Sequence, residues 1–337
     1  PETLARADYQ SLIVKTLRDK FPDVTGRKDR RARKKIVSSG AACELKDHIL
    51  ANPDLIGTTQ TLTLTASSDV DMWLKADKDN GANFLTDGQI SWVEALEHDG
   101  SLRIIFNRDF LSHGDSREPE LAGIRGAIVG SFLSLAVCIA LALPLGVMAA
   151  IYLEELAPRN RLTRIIEVNI NNLAAVPSII FGILGLAVFL NFFGLPRSAP
   201  LAGGMVLALM TLPTILIASR AALQAVPPSI RQAALGLGAS DIQTIFHHVV
   251  PLALPGMLTG AILGMARALG ETAPLLMIGM VAFIADTPAS VTDPATVLPV
   301  QIYLWADSPE RGFIEKTGAA IMVLLAFLLV MNSIAIY

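Results

Sequence analysis

The sequence predicts an all-α polytopic membrane protein with a small α+β extracytoplasmic domain at its amino terminus. Two observations carry the prediction. The chain is 52% hydrophobic and only 17% charged. Its charges are also segregated, with 37 of the 57 Asp, Glu, Lys and Arg residues inside the first 120 positions. Roughly 200 nearly uncharged residues follow, a composition that suits a membrane bundle behind a polar domain and excludes a soluble enzyme. The polar domain is placed at 1–118 and the membrane domain at 119–337.

Five apolar runs are long enough to span a bilayer, which takes about 20 residues. They lie at about 121–153, 169–193, 200–219, 251–285 and 313–337. Pro144, Pro177, Pro213, Pro255 and Pro274 punctuate them. Such breaks are tolerated in lipid where neighbouring helices or a water-lined path satisfy the freed backbone groups.

Short loops set the expected orientation. Arg159, Arg161 and Arg164 follow the first span, and Arg220 and Arg231 lie between the third and fourth. The opposite loops hold Arg197, Arg311 and Lys316 among several acids. The excess of basic residues puts 154–164 and 220–250 in the cytoplasm. Residues 1–118 are then external. A domain on that side requires an apolar helix upstream of Pro1, and the apolar end at Tyr337 also reads as cut; six spans with both ends inside is the expected whole.

Within the polar domain, 2–20 and 28–50 have helical character. "TQTLTLTAS" and "SLRIIFN" alternate like strands. The basic run Gly26–Lys35 fits a solvated helix face better than a nucleic-acid or anionic-lipid surface. Cys43 lies in this domain and Cys138 in a span, so no disulfide framework is expected.

Catalytic signatures are absent. The chain has no G-x-x-x-x-G-K-[ST] phosphate loop, no H-E-x-x-H and no paired C-x-x-C. His247 and His248 lack ligand partners at metal spacing. What stands out is the segment 227–250 and two buried charges. In that segment Ser229–Leu237 reads as a short helix capped by Ser229, with Gly238 as its stop. Ala239–Val250 reads as a second helix with Ile242, Ile245, Phe246 and Val249 on an apolar face. Such a pair can dock into a partner's groove or lie on the membrane.

"QAALGLGASDIQTIFHHVVP" resembles the cytoplasmic coupling loop of ABC importer permeases. Ala233, Ala234, Gly238 and Pro251 match that pattern in register, while Gln232, His248 and Val250 depart from it. "AAVPSIIFGILGLAVF" and "ARALGETAPLL" resemble stretches of the phosphate-specific permeases, and the layout is similar to their A-type subunit. The resemblance implies the helical bundle of a type I importer and half of a translocation pathway for phosphate. It also implies a separate ATP-binding subunit, a dimer that uses ATP and Mg, docked at 227–250. A homologous second permease and a periplasmic phosphate-binding protein would complete the assembly. No cofactor, metal, catalytic residue or nucleic acid is implied for this chain.

Arg267 and Glu271 lie four residues apart, on one helical face. Arg267 is roughly 24 Å along a continuous helix from Pro251, where an ionisable group costs about 2.5–3.5 kcal/mol. Pro274 cannot donate to Gly270, so the helix is expected to open beside the charges. Open backbone next to a guanidinium suits a transient anion site, and Ser178 and Thr272 are added to the pathway set. Glu271 can accept a hydrogen bond from protonated phosphate and repel sulfate. The competing reading is a structural ion pair. Gly256, Gly260 and Gly264 permit close helix approach, either to a partner or within the chain. A permease for another oxyanion, a self-contained secondary anion transporter and a membrane sensor are the alternatives.

Overall fold

Helices account for the regular structure of the described residues. The computed structural model describes residues 7–336, apart from 23, 25, 56, 76–83 and 282. Two units form. One comprises Pro1–Ser112, Ser116–Gly123 and Pro309–Lys316; the other comprises His113–Asp115, Ile124–Ser308 and Thr317–Tyr337.

The first unit contains α1 (Tyr9–Lys20), α2 (Arg27–Lys34), α3 (Ala41–Ala51), α4 (Ser68–Lys75), α5 (Asp87–His98) and α6 (Asp109–Ser112). Asp8 caps α1 by accepting from the Ser11 amide at 3.1 Å. Thr86 and Gln89 form a reciprocal capping box on α5, which satisfies amides that a helix start leaves open. Ile36, Val70, Leu85 and Val93 make the core. The basic run becomes α2, exposed except for half-buried Ala32 and buried Arg33, whose Nη1 donates to the Phe21 carbonyl at 2.9 Å. Lys75 donates to Asp71 and Glu315 at 2.5 and 2.8 Å. Partial burial opposes its charge, yet the bonds to these two carboxylates prevail and raise its pKa.

The strands expected at "TQTLTLTAS" and "SLRIIFN" are not realised. Both segments are non-helical, but among the described residues the pairing is a single isolated bridge, Val37 to Ala66. Alternation makes a strand only where a second extended segment lies alongside, and among the described residues that bridge is all the pairing these segments find. The helix expected from residue 2 begins at Tyr9, with residues 2–6 outside the described part.

The second unit begins with α7 (Arg125–Ile151), which runs into a π-helical turn at Tyr152–Leu156. Next come α8 (Arg161–Ala174), α9 (Ser178–Gly185) with a π-helical extension Leu186–Phe192, and α10 (Pro200–Gln224). Then follow α11 (Pro228–Gly236), α12 (Asp241–Thr244), a π-turn Ile245–Val249 and α13 (Val250–Gly270). The short α14 (Ala273–Met277), α15 (Leu298–Ala306) and α16 (Gly312–Ile336) complete the series.

Among the described residues, four helical stretches are long and apolar enough to cross a membrane: Arg125–Leu156, Pro200–Gln224, Asp241–Gly270 and Gly312–Ser333. The run expected at 169–193 is no straight rod. It is α8 and α9, bent by 99° at the break between them. Pro177 disfavours helical geometry at Val176, which places the bend. By contrast, α7, α10 and α13 continue through Pro144, Pro213 and Pro255. Tyr337, at the end of the last expected span, is outside the described residues.

Small residues let these helices meet closely. A Cβ at Gly256 would come within 2.7 Å of the Ala222 Cβ, and one at Gly260 would collide with Ala218. A Cβ at Gly264 would meet Ile215 at 3.4 Å, an ordinary contact distance. The glycine series therefore packs α13 on α10 inside this chain, which decides between the two roles open in the sequence.

Candidate functional site

Two places gather the sequence-predicted residues: the segment 227–250 and the break after α13.

In the first, Pro227 and Pro228 start α11, and Pro228 sits at its first position. Proline is preorganised there and its missing amide costs nothing. Ser229 therefore lies inside the helix and is not its cap. Gly238 ends the helix as expected, with φ of +89°. The Ala239 amide donates to the Ala234 carbonyl at 3.1 Å and the Gly238 amide to Leu235 at 2.9 Å. This six-to-one and five-to-two closure requires a left-handed residue, which glycine adopts without a Cβ clash. Ser240 then opens the next helix in a capping box with Gln243.

That second helix does not stop at Val250; helical structure continues unbroken from Asp241 to Gly270. The π-turn Ile245–Val249 widens the helix just before Pro251. Its ring would otherwise press on the carbonyl four residues back. The expected apolar face is divided: Ile245 and Val249 are buried, whereas Ile242 and Phe246 are exposed with Leu235 and Leu237. Ala234 is buried; Gln232, Ala233, Gly238 and Pro251 are exposed.

An ion-pair network holds this segment, and sequence reasoning missed it. Arg231 on α11 donates from Nη2 to Glu155 Oε1 at 2.5 Å and from Nε to Glu155 Oε2 at 3.2 Å. It also donates to the carbonyls of Val226 and Leu223 at 2.8 and 3.0 Å. Arg220 on α10 reaches Glu154 Oε2 at 3.1 Å and Glu167 Oε1 at 2.7 Å, and Gln224 adds a bond to Glu154. Planar guanidinium forks suit such two-pronged contacts. The available signal was "YLEEL" at the end of one span, two acids facing arginines at the end and just beyond another.

At the second place, α13 ends at Gly270 and Glu271 takes extended geometry, with ψ of 122°. The break that Pro274 implied falls beside the charges. Arg267 Nε lies 3.6 Å from Glu271 Oε1, with Arg267 about half exposed. Thr272 precedes α14. A Cβ on Gly182 of α9 would come within 2.7 Å of Pro274 Cα, so α9 presses directly on α14. Ser178 is one turn before Gly182 on the same face of α9. No group of three or more His, Cys, Asp or Glu suited to a metal occurs among the described residues.

Residues 142–337 match the family described as the binding-protein-dependent transport system inner membrane component. The chain belongs to that family. Residues 1–83 match a domain of unknown function. The phosphate transport system permease protein PstA 1 of Mycobacterium tuberculosis (strain CDC 1551 / Oshkosh) is 33% identical over 60% of this chain and 66% of its own length. The PstA protein of Pasteurella multocida is 30% identical over 64% of this chain and 76% of its own. The chain thus spans just under two thirds of the mycobacterial relative. Among solved structures, the inward-facing MetNI methionine ABC transporter has a TM-score of 0.49 at 18% identity, over 63% of this chain and 92% of that one. Family membership and the long apolar helices make this member of the family a multi-pass inner-membrane protein.

Proposed function

We propose that this chain is the membrane-spanning permease subunit of an ATP-driven phosphate importer, forming half of the pathway. The observation that carries the proposal is the built segment 227–250, a short helix closed at Gly238 and anchored by Arg231, in a chain similar to phosphate transport permeases. ATP and Mg are used by a separate subunit docked on the exposed Leu235, Leu237, Ile242 and Phe246. A second permease closes the pathway, and an external binding protein delivers phosphate to it. Residues 1–118 lie outside the cell, and lipid surrounds the apolar helices.

Arg267, Glu271, Thr272 and Ser178 line the path. A pair at 3.6 Å beside an opened helix end lets Arg267 exchange Glu271 for a passing oxyanion. Glu271 then accepts a hydrogen bond from a protonated phosphate oxygen and repels sulfate.

Deleting the gene tests the reading. Phosphate uptake at low external phosphate should fall and return with the restored gene, while sulfate uptake stays constant. Loss of a different oxyanion's uptake would reassign the substrate. Unchanged uptake of every oxyanion would remove the transport role.

A further inference from the structure

Helix α8 is held to its neighbours lightly. None of its residues is buried. The least exposed, Thr163, Glu167, Ile170 and Ala174, recur at three- and four-residue spacing and so share one face. On that face Ile170 packs on the apolar cluster that includes Ile151, Leu153 and Leu216. Glu167 supplies the polar attachment, its Oε1 accepting from Arg220 Nη2 at 2.7 Å. An element with so little buried surface moves more readily than the core, so the ion pair decides where α8 sits.

Arg220 is shared. It also donates to Glu154 Oε2, from Nη2 at 3.1 Å and from Nε at 3.2 Å. Two carboxylates on one guanidinium leave the trio with excess negative charge, so a shift of Arg220 toward one acid loosens the other. Glu154 is joined by a peptide bond to Glu155, the partner of Arg231 on α11. A displacement of α11 therefore reaches α8 through charged contacts alone.

Past the bend at Pro177 the packing is tight. A Cβ on Gly182 of α9 would come within 2.7 Å of Pro274 Cα, and one on Gly185 would collide with Val206. Pro274 belongs to α14, which starts two residues after Glu271. What moves α9 thus presses on the segment beside Arg267 and Glu271.

We propose that Glu167 is a positioning residue: through Arg220 it makes the bent arm α8–α9 follow the docking segment, and α9 carries that movement to α14. The relay rests on the reading of 227–250 as the ATPase dock. Coupling between distant sites is carried by contiguous ion pairs and packed elements of this kind.

The test uses the whole transporter, with its ATPase, second permease and binding protein, in lipid nanodiscs. In a Cys43→Ser, Cys138→Ala background, one spin label is placed at Leu258→Cys on α13. The other is at Leu162→Cys on α8 or at Ile180→Cys on α9; all three positions are exposed. Double electron–electron resonance compares the distances without nucleotide and with ATP plus vanadate. Both pairs should change on trapping in the parental complex and stay fixed in Glu167→Gln, with the ATPase still bound. In proteoliposomes of the same complex, phosphate uptake per assembled complex should fall about fivefold or more, the scale of a lost charged hydrogen bond. Glu167→Asp, which keeps the charge, should restore part of both signals. A distance change that persists in Glu167→Gln, or one confined to α8 in the parental complex, would overturn the relay and leave the dock standing. So would uptake that falls only in proportion to yield. If the parental chain retains no ATPase, the docking reading falls and the relay with it.

Discussion

Arg231 grips Glu155 through two bonds, 2.5 Å from Nη2 and 3.2 Å from Nε, while its other donors hold the carbonyls of Leu223 and Val226. One guanidinium thus ties α11 to the end of the first long helix and to the end of α10. Its partner Glu155 is largely buried, and charged hydrogen bonds of this kind contribute about 1.5–3 kcal/mol. Glu155→Gln should therefore leave the subunit inserted but lower phosphate transported per ATP hydrolysed, about tenfold if the lost positioning amounts to 1.4 kcal/mol. Transport and hydrolysis are measured on the same vesicles. An unchanged ratio would show that the clamp does not position the docking helix.

Gly238 gives a sharper version of the same test. Its φ of +89° lies where a Cβ is strained, at a cost of about 1–2 kcal/mol. No side chain crowds the position, so the cost is purely conformational. Gly238→Asn should be nearly neutral, because Asn tolerates this region. Gly238→Val should release the ATPase during co-purification. Equal retention of the ATPase by both variants would separate the turn from docking.

The glycines of α13 make a graded prediction about packing. Gly260→Ala should reduce folded protein strongly, since the new methyl meets Ala218 head-on. Gly256→Ala, at 2.7 Å from the Ala222 Cβ, should be intermediate, and Gly264→Ala, at 3.4 Å from Ile215, the mildest. Thermal unfolding in detergent ranks them. A flat series would mean that α13 and α10 are not in this contact.

Much of this architecture is legible because apolar length and glycine spacing are local properties. The break at Glu271 follows from Pro274, and the turn at Gly238 from its residue type. The α8–α9 bend is harder: Pro177 and Pro213 look alike in sequence, yet one breaks its helix and the other sits within α10. Tertiary packing decides between them, since Pro213 is buried among neighbouring helices. The Arg231–Glu155 pair was illegible for a related reason. Its residues are 76 positions apart, and pattern within one helix carries no information on which span ends meet. The failed strands in the first unit repeat the point, because alternation names a surface but not its partner.

Arg267 and Glu271 carry the prediction on selectivity. Arg267→Lys should retain part of the uptake, because a point charge contacts an oxyanion but cannot fork around it. Glu271→Gln should weaken discrimination against sulfate more than it lowers the yield of complex. If both act only as a structural pair, the single changes should lower yield and the charge-swapped double variant should restore it.

One measurement bears most directly on the proposal that this chain handles the substrate and is powered by a separate subunit. The full complex carrying Arg267→Gln is reconstituted with its ATPase and binding protein, and complex yield and ATP-driven phosphate uptake are recorded together. The expected result is normal assembly with uptake abolished, since the anion then meets an uncompensated barrier in a low-dielectric path. Uptake that falls only in proportion to assembled complex, or persists at the wild-type level, would contradict it.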